Sequence, residues 1–278
     1  MYKALITGGC SFSDDHYALH TWNTYLDDGY DDVYHTGKDG VGNQYIFRLV
    51  AKKLLDIRKN IPWNCQVDVV VLWSGISRKC IVTNDRQYLS QNIMVEEALR
   101  EVERLKVNEP DAYQEAKGMK DLDIVLESNG GQHHDLDGNV IAPEEYAYSF
   151  FVPAIKDEIL EDFYGKYTNT IDDWEKTSVD ILNLQEICKA NNANFYWGHY
   201  DNHYHEVYTD RVKKKYNHIA WAHDRLDHSQ CFCPEGMTAW VDKNFTQKVG
   251  YLPDDWHPSE RAHKQFAKSI IQPFLNKE

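Results

Sequence analysis

Two short stretches at opposite ends of the 278-residue chain carry the residue types of nucleophilic catalysis. Near the start, Gly8-Gly9-Cys10-Ser11-Phe12-Ser13 offers a serine directly after a short apolar run. Near the end, Asp254-Asp255-Trp256-His257-Pro258 sets two carboxylates three and two residues before a histidine. A carboxylate at that spacing can hold an imidazole from the same turn, fix its tautomer and stabilise the imidazolium formed when histidine takes a serine proton. Each stretch also has a plainer reading. Serine is a common helix cap, so Ser11 can be a cap and nothing more. Acids placed just before a helix favour its positive end, which is a sufficient reason for Asp254 and Asp255.

The elements that must position these residues follow from periodicity. Four segments read as strands: Lys3 to Thr7, Asp32 to His35, Val67 to Trp73 and Asn194 to His199. The run Val67-Asp68-Val69-Val70-Val71-Leu72 is β-branched and almost continuously apolar, as expected of a central strand buried on both faces of a parallel sheet. A helix is expected from Asn43, with Gly42-Asn43 as its start and Ile46, Leu49, Val50, Leu54 and Ile57 on one face. A second runs from about Ser178 to Ala190, with Val179, Leu182, Ile187 and Cys188 available for burial. A last begins at Ser259, after Pro258, and buries Ala262, Phe266, Ile270 and Phe274. Strands alternating with helices imply right-handed crossovers and an α/β fold with an open or doubly wound sheet. Ser11 then falls at the carboxyl end of the first strand, in the loop entering the first helix. That is the edge where such sheets bind ligands and where backbone N–H groups can meet an oxyanion.

Two stretches break the alternation within what otherwise reads as a single domain spanning 1–278. The first, about 108–143, is marked by Asn129-Gly130-Gly131 and Asp137-Gly138-Asn139 and reads as an inserted lid or subdomain. The second, about 201–251, is rich in His, Tyr, Trp and charge and reads as a long loop region. The chain carries 44 acidic residues against 30 Lys and Arg, a formal charge of −14, which works against nucleic acid or an anionic membrane as partner. No run approaches the ~18 apolar residues needed to cross a bilayer, and no signal peptide is evident, so a cytoplasmic protein is expected. Six cysteines without framework spacing favour free thiols.

Taken together, these residues resemble the SGNH hydrolases, the GDSL esterase and lipase family of serine hydrolases. The family's nucleophile lies in Gly-Asp-Ser after the first strand, and Gly9-Cys10-Ser11 is similar, with Cys10 in place of the acid. Gly40-Val41-Gly42-Asn43 looks like the second block, whose glycine N–H serves the oxyanion hole, with Gly42 as the better match. Asp254 and His257 fit the terminal Asp-x-x-His block, and Asp255 is a rival orienting acid. The third block departs. The family has Gly-x-Asn-Asp after the central strand, whereas here Trp73-Ser74-Gly75-Ile76-Ser77-Arg78 follows.

Loss of one oxyanion donor can cost about 2.7 to 4 kcal/mol of transition-state stabilisation. Ser74 or the Gly75 backbone is a candidate replacement, and Arg78 a candidate for binding an anionic substrate group or supporting the loop. Trp-Ser with a downstream Arg is similar to divergent members encoded by phages and marine bacteria, which makes a viral source one expectation.

The resemblance implies a flavodoxin-like three-layer α/β/α sandwich with a central parallel sheet. It also implies a Ser-His-Asp triad of Ser11, His257 and Asp254 that hydrolyses a carboxylic ester through an acyl-enzyme without a cofactor. Ser11, Gly42 and Ser74 would line the oxyanion hole, and Asn43, Trp73, Trp256 and Arg78 are candidates for substrate contact. An O-acetylated carbohydrate is the expected substrate class. The alternative is an SGNH-like binding or virion-associated module that has lost efficient chemistry.

The remaining constellations are weaker. His199, His203, His205, His223 and His228 with Cys231 and Cys233 have irregular spacing for zinc, and no metal is expected. Trp197, Tyr200, Tyr204, Trp221 and Trp240 are candidates for stacking on sugar rings, or for core. Lys213-Lys214-Lys215 reads as a solvated face, and Gly37-Lys38-Asp39-Gly40-Val41-Gly42 lacks the spacing of a dinucleotide loop.

Overall fold

Residues 2–15, 18–76, 78–83, 146–151, 170–208, 218–253 and 255–276 are described by a computed structural model. The expected inserted stretch at 108–143 lies outside them, as do Asp254 and the Lys213–Lys215 run.

The apolar run of β3 (Gln66–Trp73) occupies the middle of a sheet, buried from Val67 to Trp73. β1 (Lys3–Gly9) lies on one side of it, with Gly9 opposite Leu72, and β6 (Asn194–His199) on the other, with His199 opposite Trp73. β2 (Asp32–His35) pairs with β1, and β7 (Cys231–Cys233) with β6. All four pairings are parallel, giving the order β2-β1-β3-β6-β7. The chain therefore lays β2 on one side of β1 and then crosses to lay β3 on the other. That reversal opens a crevice at the carboxyl ends of β1 and β3, the place where open α/β sheets bind ligands. A separate antiparallel pair, β4 (Arg78–Thr83) and β5 (Tyr146–Phe151), leaves the sheet just beyond β3.

Helices cover both faces. On one, α1 (Asn43–Arg58) packs against α2 (Thr170–Ala190). α1 buries Ile46, Leu49, Val50, Leu54 and Ile57, the stripe expected from spacing. α2 starts at Thr170, eight residues before the expected Ser178, because Trp174 anchors two additional turns at 0% exposure and Asp172 and Asp173 sit in the first turn.

The described part of 201–251 is not the expected loop. It holds α3 (His203–Val207), β7, α4 (Met237–Asn244) and α5 (Gln247–Gly250), each too short to leave a periodic signal. The chain closes with α6 (Glu260–Phe266), a π turn over Ala267–Ile271, and α7 (Gln272–Leu275). This last run packs on the Trp22–Leu26 turn over the opposite face of the sheet, completing three layers. Ser259 caps α6 as expected: its hydroxyl accepts from the Ala262 N–H at 3.3 Å and donates to the Val249 carbonyl at 2.7 Å. No helix among the described residues is long and apolar enough to cross a membrane.

Candidate active site

Ser11 does not enter a helix. β1 runs into the short 3₁₀ turn Ser11–Ser13, and the first α-helix comes only after β2, so Ser11 does not itself open an α-helix. Residues 14–31, rich in Asp and Tyr, lack the period that would have built one. The turn is instead moulded by close backbone approach. A Cβ on Gly9 would lie 2.8 Å from the Leu72 carbonyl oxygen and 2.1 Å from the Ser13 hydroxyl, and one on Gly37 would lie 2.2 Å from the Ser13 carbonyl oxygen. Both positions require glycine for space.

Ser13 holds this turn together. Its N–H donates to the Cys10 carbonyl at 2.8 Å, its hydroxyl accepts from Trp22 Nε1 at 2.9 Å, and its carbonyl accepts from Asn23 Nδ2 at 3.1 Å. The structural serine is thus Ser13. Among the described residues the Ser11 hydroxyl makes no hydrogen bond, and no side-chain cap is present on the turn. The capping explanation of Ser11 is thereby removed.

The histidine arrives on a pinned loop. The Leu252 N–H donates to the His257 carbonyl at 2.9 Å, the Ser259 N–H donates to the Gly250 carbonyl at 2.8 Å, and Tyr251 and Pro258 form a β-bridge. Within it, His257 Nδ1 and Asp255 Oδ1 stand 2.7 Å apart, and the His257 N–H donates to the same oxygen at 3.1 Å. Burial works to raise the Asp255 carboxyl, but these bonds and the imidazole charge outweigh it and hold the group below its ordinary range. The acid on His257 is therefore Asp255, the rival, while Asp254, the first choice, lies outside the described residues.

His257 is buried, its ring 5.3 Å from that of Phe12, which places it against the Ser11 turn. No hydrogen bond joins the Ser11 hydroxyl to this ring. Such bonds are often long before substrate arrives.

Behind the imidazole, His263 on α6 is wholly buried and accepts from the Trp22 N–H through Nδ1 at 3.2 Å. Burial, with the charge of His257 nearby, pushes its pKa down to about 3. Trp22 thus ties the serine turn to the helix that follows the histidine.

The loops after β2 and β3 meet through Asn43. Its Oδ1 accepts from the Ser74 N–H at 2.8 Å, while Nδ2 donates to the Ser74 carbonyl and to Thr177 Oγ1, each at 3.1 Å. This corrects the expectation for Asn43, whose amide serves as a clamp between the two loops and is not left for substrate. The Ser74 N–H is committed to that clamp. What Ser74 retains is its hydroxyl, buried and unpartnered among the described residues. Gly42 stands at the start of α1, buried, at the same edge of the sheet.

Trp73 is core at 0% exposure and is not a substrate contact. Trp256, in contrast, is 50% exposed and lies 5.3 Å from Phe12 and 6.0 Å from Tyr200, ring to ring. Tyr200 also packs 4.9 Å from Phe12, and its hydroxyl lies 3.0 Å from where a Gly75 Cβ would be. Burial raises its pKa, as does the Asp201 carboxylate. In the sequence Tyr200 stood only among the stacking aromatics, because this wall position depends on the β3–β6 pairing. Of the other aromatics expected to stack, Trp197, Tyr204 and Trp240 are buried, and Trp221 is exposed.

The histidine-rich segment forms a second cluster. His199 stacks on Tyr204 at 4.2 Å and stands 5.4 Å from His205, while the rings of His223 and His228 are 4.5 Å apart. Among the described residues no group of three or more His, Cys, Asp or Glu is arranged to hold a metal ion. Comparisons with protein-family models, curated proteins and solved structures found no match.

Proposed function

We propose that the chain is a serine esterase of the SGNH type. Ser11 attacks an ester carbonyl while His257 takes its proton through Nε2, and Asp255 holds the Nδ1–H and stabilises the imidazolium. The alcohol leaves with that proton. Water, deprotonated by the same imidazole, then hydrolyses the acyl-Ser11 ester. The Ser11 and Gly42 backbone N–H groups, with the Ser74 hydroxyl in place of the family's asparagine, are the candidate oxyanion donors. An O-acetylated carbohydrate remains the favoured substrate class, with Trp256 as its exposed aromatic wall.

The observation that carries this reading is the 2.7 Å Asp255–His257 bond, held on a pinned loop against the turn that presents Ser11. Two observations favour a second reading, a binding module of the same fold: the Ser11 hydroxyl is not bonded to the imidazole, and the Ser74 N–H is spent on Asn43. A fluorophosphonate probe separates the two. The esterase reading expects covalent labelling at Ser11, found by peptide mass spectrometry and lost in Ser11→Ala. The binding reading expects a folded protein that takes no label.

A further inference from the structure

Arg78 opens β4 immediately beyond the crevice, its N–H donating to the Gly75 carbonyl at 3.1 Å to close the turn that follows Ser74. Its Nη1 is buried and has no hydrogen-bond partner among the described residues, and no ion pair of Arg78 occurs there. The turn that Arg78 closes meets the wall of the crevice: a Cβ on Gly75 would lie 3.0 Å from the hydroxyl of Tyr200, which packs on Phe12 and Trp256. On the near side of the same turn, the Ser74 hydroxyl is a second buried donor without a partner, in a residue 1% exposed.

Buried donors are normally satisfied, and a guanidinium nitrogen more than most. A planar guanidinium with an unused edge is shaped to take a carboxylate or another oxyanion through paired N–H bonds.

We propose that Arg78 is a specificity residue that binds an anionic oxygen group on the substrate, so that the ester cleaved is carried by an acidic molecule. This rests on the esterase reading for the reaction but not for the binding. It narrows the substrate from acetylated sugars in general to those bearing a carboxylate or sulfate near the ester. In a chain of net charge −14, a guanidinium at the crevice with no ion pair among the described residues also selects where an anionic ligand settles.

The test compares phenyl acetate, 4-acetoxybenzoate and 4-acetoxybenzenesulfonate with the parent, Arg78→Gln and Arg78→Lys proteins. The parent should favour an anionic ester by about tenfold or more in kcat/KM, the worth of a charge-assisted hydrogen bond. The better of the two anions identifies the group. Arg78→Gln should bring the ratio to about one, and Arg78→Lys should restore part of it because the charge remains but the fork does not.

Thermal shift with sodium sulfate at constant ionic strength supplies a readout independent of turnover: sulfate should raise the Tm of the parent and not of Arg78→Gln. An anionic-to-neutral ratio near one in the parent, or the same ratio in Arg78→Gln, overturns the proposal, as does an equal sulfate shift in both. Sulfate stabilisation lost in Arg78→Gln, with no ester turned over, upholds the anion site and counts against the esterase reading alone.

Discussion

His257 and His199 are both almost wholly removed from solvent, yet the molecule treats them in opposite ways. His257 has a carboxylate on Nδ1 at 2.7 Å and lies against a serine turn. His199 has neither ring nitrogen hydrogen-bonded among the described residues and is enclosed by Trp197, Tyr204 and His205. Burial, followed by the charges of His205 and His223, pushes the His199 pKa well below its ordinary value. An imidazole that must accept a proton needs a nearby negative charge to stabilise the cation. One surrounded by rings and other histidines is kept neutral and serves as packing. Histidine count and spacing therefore say little about chemistry, whereas the group on Nδ1 says much.

The largest effect that sharpens this contrast should come from Asp255. Asp255→Asn removes the charge that stabilises imidazolium and disturbs the tautomer, and ester turnover should fall by up to about ten-thousandfold. Asp254→Asn, by comparison, should stay within about threefold of the parent in the same steady-state assay. Equal losses would return the orienting role to the pair.

Asn43→Ala comes next. It strips the Ser74 N–H and carbonyl of their partners in a buried place, and each orphaned group costs about 1 to 3 kcal/mol. Urea unfolding should show a loss of at least one such group, together with reduced Ser11 labelling as the Ser74 loop loosens.

The second histidine cluster should govern acid sensitivity. Burial and the charge of His228 push the His205 pKa down to about 4, and His199 is displaced in the same direction. The unfolded chain then binds more protons than the folded one below about pH 6.5. Stability present above that pH is lost progressively as the pH falls toward about 4, where folded His205 itself protonates. Tm measured from pH 7.5 to 4.5 should decline, and His205→Phe should flatten the decline. An unchanged slope would remove His205 from this role.

The smallest effect on turnover is expected of Trp22→Phe, which deletes the indole N–H donated to Ser13, worth about 1 kcal/mol, and leaves a cavity where a wholly buried ring was. It should lower Tm and slow labelling of Ser11 without abolishing it.

Much of the sheet was legible because β3 is a nearly unbroken valine run and α1 repeats its apolar residues regularly. β7 was not, since Cys231–Cys233 is three residues long and its place is set by pairing with β6 rather than by pattern. Ser11 and His257 stood out by residue type and by position next to a strand end and a helix start. The choice between Asp254 and Asp255 depended on the turn that the Leu252–His257 bond closes, and adjacent carboxylates look alike in a sequence. The Asn43 clamp joins residues 31 apart along the chain, and Asn43 resembled a substrate contact until its partners were visible. Ser11 and Ser13 were separable only once Trp22 was seen on the latter.

The most direct test of the account is fluorophosphonate labelling of the parent, Ser11→Ala, His257→Ala and Asp255→Asn proteins, read by peptide mass spectrometry and by rate. The account predicts an adduct on Ser11 in the parent, none in Ser11→Ala, and labelling slowed by at least about a hundredfold in the other two. A folded parent that takes no label, or one labelled at Ser11 equally fast without His257, would contradict it.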